Sequence, residues 1–235
     1  TVRQGLLERR RHARIDTRIG IEIAHGGAGF SVMSHDLSIG GTFFFSKASL
    51  TTGSTVDLRL VLPGGLPGEK TVATVVHKSE KISQGDSLGY GVSFGPSLDL
   101  EHVVRHYMRR RVTGELRHEN DEPREHARLI RRTKLRFQAP NGFGTTDARD
   151  ISCGGAFIQS RQPPPVGSQM DLSLVDPYTL KILELSSRVV RVINPDPRRP
   201  GLIPGVGVTF DDLSPGVRDM IVELLCNLAE LEIGP

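Results

Sequence analysis

The feature that most constrains this chain is that it repeats itself. Shifted by 114 positions, the sequence superposes on itself without a gap for about 65 residues. Arg10 falls on Arg124, Arg14 on Arg128, and His12-Ala13 on His126-Ala127. Asp36-Leu-Ser38-Ile-Gly-Gly41 falls on Asp150-Ile-Ser152-Cys-Gly-Gly155, Phe43 on Phe157, Asp57-Leu58 on Asp171-Leu172, and Val75-Val76 on Val189-Val190. A two-residue insertion then brings Gly89-Tyr-Gly91-Val-Ser-Phe94 onto Gly205-Val-Gly207-Val-Thr-Phe210. A register held this long means two copies of one folding unit. The polar, turn-rich stretch 113–123 reads as a linker, placing the units at 1–112 and 124–235. Each has the length of an ordinary small domain with a core of its own.

The patterning within a unit is mostly of period two. Ile19, Ile21 and Ile23 alternate with Arg18, Gly20 and Glu22, and Thr133, Leu135 and Phe137 keep the alternation. Turns follow at Gly26-Gly27 and at Pro140-Asn141-Gly142, where Asn-Gly is a strong hairpin signal. Further strands are expected at Ser31–Met33, Thr42–Phe45, Leu58–Leu62, Thr71–His77 and Gly91–Phe94, with counterparts in the second copy. The period then changes. Leu100, Val103, Val104, Tyr107 and Met108 mark one helical face, as do Val217, Met220, Ile221, Leu224, Leu225 and Leu228. Ser214-Pro215 is a suitable helix start. The expectation is a mainly β chain in which each copy has about six short strands and a terminal helix. Gly at 26 residues and Pro at 15 of 235 fit many turns in a closed barrel or sandwich.

The net charge is only +3, but the cations are unevenly placed. One cluster spans Arg9 to Arg18 and another Arg124 to Arg136, which points to two discrete anion sites rather than a nucleic-acid-binding surface. No apolar run reaches the ~20 residues of a membrane span. The opening Thr1-Val-Arg-Gln-Gly5 has no hydrophobic signal region, and the two cysteines, Cys153 and Cys226, form no metal-type or disulfide framework. A cytoplasmic location is expected.

Each unit carries RxxxR followed by DxSxxG. These are Arg10 and Arg14 before Asp36, Ser38 and Gly41, then Arg124 and Arg128 before Asp150, Ser152 and Gly155. Either motif alone is weak. Both together, at the same separation in two copies, resemble the signature of the PilZ family. That resemblance covers nearly the whole chain and implies two tandem six-stranded antiparallel barrels, each with a C-terminal α-helix. It also implies a non-enzymatic receptor for cyclic di-GMP, with no further cofactor and no metal.

The ligand's chemistry suits these residues. A guanidinium can donate to guanine O6 and N7, clamp a phosphate or lie on a purine face. Ionised Asp36 and Asp150 are acceptors suited to guanine N1–H and N2–H₂. Ser38 and Ser152 can bond phosphate or base, and Gly41 and Gly155 leave room for a base against the strand. Arg9 precedes Arg10, whereas Pro123 precedes Arg124. In this family such an extra arginine implies a stacked ligand dimer in the first unit and a single molecule in the second. The expected mechanism is a change of interdomain orientation on binding, read by a protein partner. A cyclic di-GMP-dependent DNA-binding regulator and a non-binding structural module are the alternatives.

Other candidates carry less. His102 and His106 have metal-ligand spacing but no third ligand, so they read as a solvated helix flank. Gly205-Val-Gly207 lies in a strand pattern and not in a dinucleotide loop. Cys153 reads as a small packing residue. No nucleophile–base set or phosphate-binding glycine loop argues for catalysis.

Overall fold

The computed structural model describes residues 12–79, 87–116, 126–199, 201–211 and 213–230. They fall into two compact units, divided between Ala127 and Arg128.

The first unit runs β1 (Arg14–Asp16), β2 (Gly20–His25), β3 (Ala28–Ser38), β4 (Gly41–Ser46), β5 (Thr55–Val61), β6 (Lys70–Ser79), β7 (Leu88–Phe94) and α1 (Leu98–Thr113). Six strands close on themselves in the order β2-β3-β4-β7-β6-β5 and back to β2, every pairing antiparallel. Closure leaves no free sheet edge. The period-two pattern supplies the core. Ile21, Ile23, Leu58, Leu60, Phe44, Val75 and Tyr90 point inward and are at most 2% exposed. Burying an aliphatic side chain of this size contributes roughly 1.5–3 kcal/mol.

The remaining strand, β1, lies along β3 with Ile15 opposite Leu37 and Asp16 opposite Asp36. Ser34 bridges the gap between β1 and β2, donating to the Thr17 carbonyl at 2.6 Å and accepting from the Ile19 amide at 2.9 Å. The barrel thus has the six strands expected, and each unit adds a short strand that the sequence pattern does not announce.

Ser97 caps α1 by accepting from the Leu100 amide at 3.2 Å, and Gly114 ends it in the left-handed region at φ 81. The helix buries Leu100, Val104, Tyr107, Met108 and Val112. The Tyr107 hydroxyl shares a buried 2.6 Å hydrogen bond with Thr17, tying helix to barrel.

The second unit repeats the plan as β8 (Leu129–Ile130), β9 (Thr133–Ala139), β10 (Gly142–Ser152), β11 (Gly155–Gln159), β12 (Gln169–Val175), β13 (Ile182–Ile193), β14 (Gly205–Phe210) and α2 (Pro215–Leu228). Its barrel closes as β9-β10-β11-β14-β13-β12 and back to β9, with β8 against β10.

Three local expectations need adjustment. Ser31–Met33 and the Asp36 motif are not separate segments, since β3 runs unbroken through both. The first hairpin turns at Gly26-Gly27 with φ +59 and +81, as a two-residue hairpin loop requires. In the second, Gly142 already pairs with Ala139, so the loop is Pro140-Asn141 and the Asn-Gly pair straddles its end. Ser214 starts α2 through its backbone carbonyl, which accepts from Arg218 at 2.9 Å, and its side chain makes no cap bond. Among the described residues no helix is long and apolar enough to cross a membrane.

Candidate PilZ ligand site

Each barrel carries a matched irregularity beside its motif aspartate. The β3–β4 register shifts between Ser34 and Asp36, and the β10–β11 register between Ala148 and Asp150. Such a bulge places two residues opposite one. Ser34 and Leu37 are both buried, as are Ala148 and Ile151. An inward residue recurs after three positions rather than two, so His35 and Asp36 share the outer face, as do Arg149 and Asp150. The bulge is what turns the motif aspartate outward without unpairing the strand.

The arginine of each motif meets this aspartate. Arg14 Nη1 donates to both Asp36 carboxylate oxygens, at 3.0 and 3.2 Å. Arg128 Nη1 donates to Asp150 Oδ1 at 3.1 Å. Residues 22 positions apart are brought together because β1 runs beside β3, and β8 beside β10. Both pairs are partly exposed, with 25% and 12% of the Arg14 and Asp36 side chains accessible and 39% and 23% for Arg128 and Asp150. Among the described residues only Nη1 of each guanidinium is engaged, which leaves further donors for another acceptor.

The serines and glycines of DxSxxG build the turn that follows. Ser38 and Ser152 are buried and donate to the carbonyls of Gly41 at 3.0 Å and Gly155 at 3.2 Å. A Cβ on Gly41 would stand 2.1 Å from the Val92 carbonyl oxygen, and one on Gly155 the same distance from that of Val208. Close approach of β7 and β14 therefore suffices to require glycine at both places, independently of any base.

Arg9, Arg10 and Arg124 lie outside the described residues. Of the second basic cluster, Arg131 bonds the Leu228 carbonyl and stands 3.5 Å from Glu230, while Arg132 stands 3.0 Å from Asp147. The charge that looks concentrated in sequence is thus partly neutralised one residue at a time. His102 and His106 are exposed, and no group of three metal-ligating side chains occurs among the described residues. Cys153, inside the second motif, is buried. That burial pushes its thiol up to about 11, against a smaller opposing pull from Arg218 and a slight rise from Cys226.

The same signature twice, on the same barrel, is matched by one family model, the PilZ domain, over residues 8–112 and again over 122–226. The chain belongs to the PilZ family. No curated protein sequence matches it. Among solved structures it is similar to PlzA of Borreliella burgdorferi in complex with c-di-GMP, at 10% identity, 92% of this chain, 93% of that one and a TM-score of 0.36. It is similar to the Bacillus subtilis inhibitor of motility MotI/DgrA at 13% identity, 90% and 95% coverage and a TM-score of 0.39. K. pneumonia MrkH in complex with c-di-GMP aligns at 14% identity, 90% and 87% coverage and a TM-score of 0.36.

Three features of the PilZ outer face escape sequence reasoning. Phe43, directly opposite Asp36, lies along β7, where a Cβ on Gly89 would meet its Cζ at 2.5 Å. Phe157 lies likewise over Gly205, at 3.0 Å. Gly89 is thus the bed for a surface ring, whereas at Gly205 the Ile158 carbonyl oxygen, 2.2 Å from a Cβ, is a nearer obstacle than the ring. The bulge residues His35 and Arg149 flank these rings. In the first barrel His35, Phe43 and Phe45 form an edge-to-face cluster with centroids 5.3–6.1 Å apart. The signal was present in the repeat alignment, where Phe43 and Phe157 coincide, but strand alternation cannot reveal a bulge.

Proposed function

We propose that this PilZ protein is a cyclic di-GMP receptor with one site on each barrel. The observation that carries the reading is the duplicated Arg–Asp pair at a bulge on the outer face, Arg14 with Asp36 and Arg128 with Asp150. A carboxylate acceptor suits the guanine N–H edge, and the spare guanidinium donors suit guanine O6 and N7 or a phosphodiester. Arg10 and Arg124, with Arg9 in the first barrel, supply the remaining cations. Ser38, Gly41, Ser152 and Gly155 hold the turn that shapes the site. Arg124 follows closely on the segment that joins the two motif-bearing units in sequence. Capture of ligand there therefore alters how the units are arranged, and a protein partner reads the change.

Calorimetric titration with cyclic di-GMP tests the reading, with Arg10→Ala and Arg124→Ala as site-specific variants. Each should lose one class of site and retain the other, weakened by about 5- to 150-fold for a lost bidentate guanine contact. The absence of any binding by the unaltered chain at micromolar ligand would refute the receptor reading. Small-angle scattering that is unchanged by ligand would refute the rearrangement alone.

A further inference from the structure

The two sites differ in a way that the shared motif hides. Four strands form one transverse row across the outer face of each barrel. In the second, Asp150 on β10 pairs with Phe157 on β11, Phe157 with Gly207 on β14, and Gly207 with Arg191 on β13. The row begins and ends at a bulge, because the β13–β14 register shifts between Val189 and Arg191 just as the β10–β11 register shifts beside Arg149. In the first barrel the same row runs Asp36, Phe43, Gly91 and His77, again bulged at both ends. The extra residue at the aspartate end is His35 in the first barrel and Arg149 in the second, and the far end of the row is His77 in the first and Arg191 in the second.

A guanidinium beside the aspartate end and another at the far end, in place of two imidazoles, change the chemistry of the face. Arg149 adjoins Asp150, and Arg191 lies three strands along the curved wall, at most roughly 14 Å away at about 4.8 Å per strand, with the ring between them. Neither Arg149 nor Arg191 forms an ion pair or hydrogen bond with a described residue, although Arg128, Arg131 and Arg132 nearby in sequence all do. The floor between them, Phe157 beside glycine, is flat and apolar, as a purine face requires. The first barrel instead closes its ring in with His35 and Phe45, at 6.1 and 5.3 Å. Gln159 stands in the Phe45 position of the second barrel.

We infer that Arg149 and Arg191 are ligand-binding residues of the second barrel alone, and that they make it the tighter and more salt-sensitive of the two sites. The inference rests on the cyclic di-GMP reading above, and goes beyond it by assigning the two barrels unequal roles. At low ligand the second barrel fills first. Two partly exposed cations on a doubly charged ligand give a few-fold each, or about tenfold together. The advantage shrinks as salt screens it.

The test uses the full chain with one site silenced at a time, Asp36→Ala to read the second barrel and Asp150→Ala to read the first. Each is titrated with cyclic di-GMP at about 50 and 300 mM salt, where screening lengths differ more than twofold. The second barrel should bind about tenfold tighter at low salt, with the gap narrowing at high salt. The double substitution Arg149→His/Arg191→His should bring its affinity and salt slope down to those of the first barrel. The reverse pair His35→Arg/His77→Arg should raise the first. All four positions face outward and each substitution installs the residue that the other barrel carries, and far-ultraviolet dichroism checks the folding of both units. Equal affinities and slopes in the two barrels, or histidine variants that bind as the parent does, overturn the inference while leaving the receptor reading intact. No binding at either barrel overturns both.

Discussion

Replacing Gly41 by alanine isolates what the motif glycine does. The added Cβ would lie 2.1 Å from the Val92 carbonyl oxygen, 3.2 Å from its carbon and 3.3 Å from Ser93 Cα. A comfortable contact is roughly 3.5 Å, so the shortfall is about 1.4 Å and the obstacle is backbone. That backbone is held in the β4–β7 ladder, with Gly41 opposite Ser93 and Thr42 opposite Val92, in a barrel that closes on itself. Relief means overpacking strain of about 1–3 kcal/mol, plus one or two ladder bonds at about 1 kcal/mol each. Restricting the unfolded chain returns about 0.4–1 kcal/mol. The net expectation is a loss of about 3 kcal/mol in the first unit, or a midpoint lowered by about 10–20 °C.

The chain has no Trp, and its tyrosines make the assay selective. Tyr90 and Tyr107 are fully buried in the first unit, while Tyr178 of the second is 63% exposed. Thermal melts followed by near-ultraviolet dichroism therefore report chiefly on the first unit. Gly41→Ala should shift that transition and Gly155→Ala should leave it in place, although the latter meets the Val208 carbonyl at the same 2.1 Å. A Gly41→Ala midpoint within a degree or two of the parent, combined with lost ligand binding, would refute the packing argument and return the glycine to the ligand.

Three further outcomes follow from the geometry. Tyr107→Phe strands the Thr17 hydroxyl in the α1–barrel contact and should cost about 1–2 kcal/mol in urea unfolding, with Tyr107→Phe/Thr17→Val recovering part of it. For Cys153, burial raises the thiol from 9.0 to about 11. The folded chain therefore keeps its proton where the unfolded chain has lost it, and this group's contribution to stability is full below pH 9 and declines from 9 toward 11. Alkylation by iodoacetamide at pH 8 should accordingly be far slower than in urea, and equal rates would refute the burial. Burial opposes the charge of Asp176, but bonds from Asn227 and from the Tyr178 and Thr179 amides outweigh it and hold the carboxyl below its ordinary value. Its stabilisation is present above the unfolded value and lost as pH falls through the folded one. Asn227→Ala should therefore destabilise the second unit at neutral pH and have less effect under acid, as followed by far-ultraviolet dichroism.

The sequence carried the architecture because barrel strands and amphipathic helices leave periodic marks, and because duplication wrote those marks twice. Ile21, Ile23, Leu58 and Leu60 were readable as inward residues, and Leu100, Val104, Tyr107 and Met108 as a buried helical face. The short strands β1 and β8 were not, since three residues and two are too few to display a period. The Arg–Asp separation was visible as a number, but the contact it makes depends on β1 and β3 lying side by side. The bulges were invisible because they break the alternation on which strand reading relies. Nothing in the alternation therefore singles out His35, Arg149, His77 and Arg191, although each stands at a point where a strand carries one residue more than its partner. The glycines of the late strand recur in the sequence, but the reason for Gly89, the ring of Phe43 lying on it, is visible only in the fold.

That bed has a consequence for how such a barrel can change by descent. The ring of Phe43 occupies the space that a Cβ on Gly89 would need, 2.5 Å from its Cζ. A lineage can lose the phenylalanine and keep the glycine, and afterwards a Cβ there has only the Ser79 Cβ, at 3.1 Å, to displace. It cannot take the two steps in the opposite order without first passing through a chain whose surface ring has been lifted off its strand. The order of substitution is thus imposed by geometry, and a barrel that has once replaced the glycine has no single-step route back to a ring lying flat beside its aspartate.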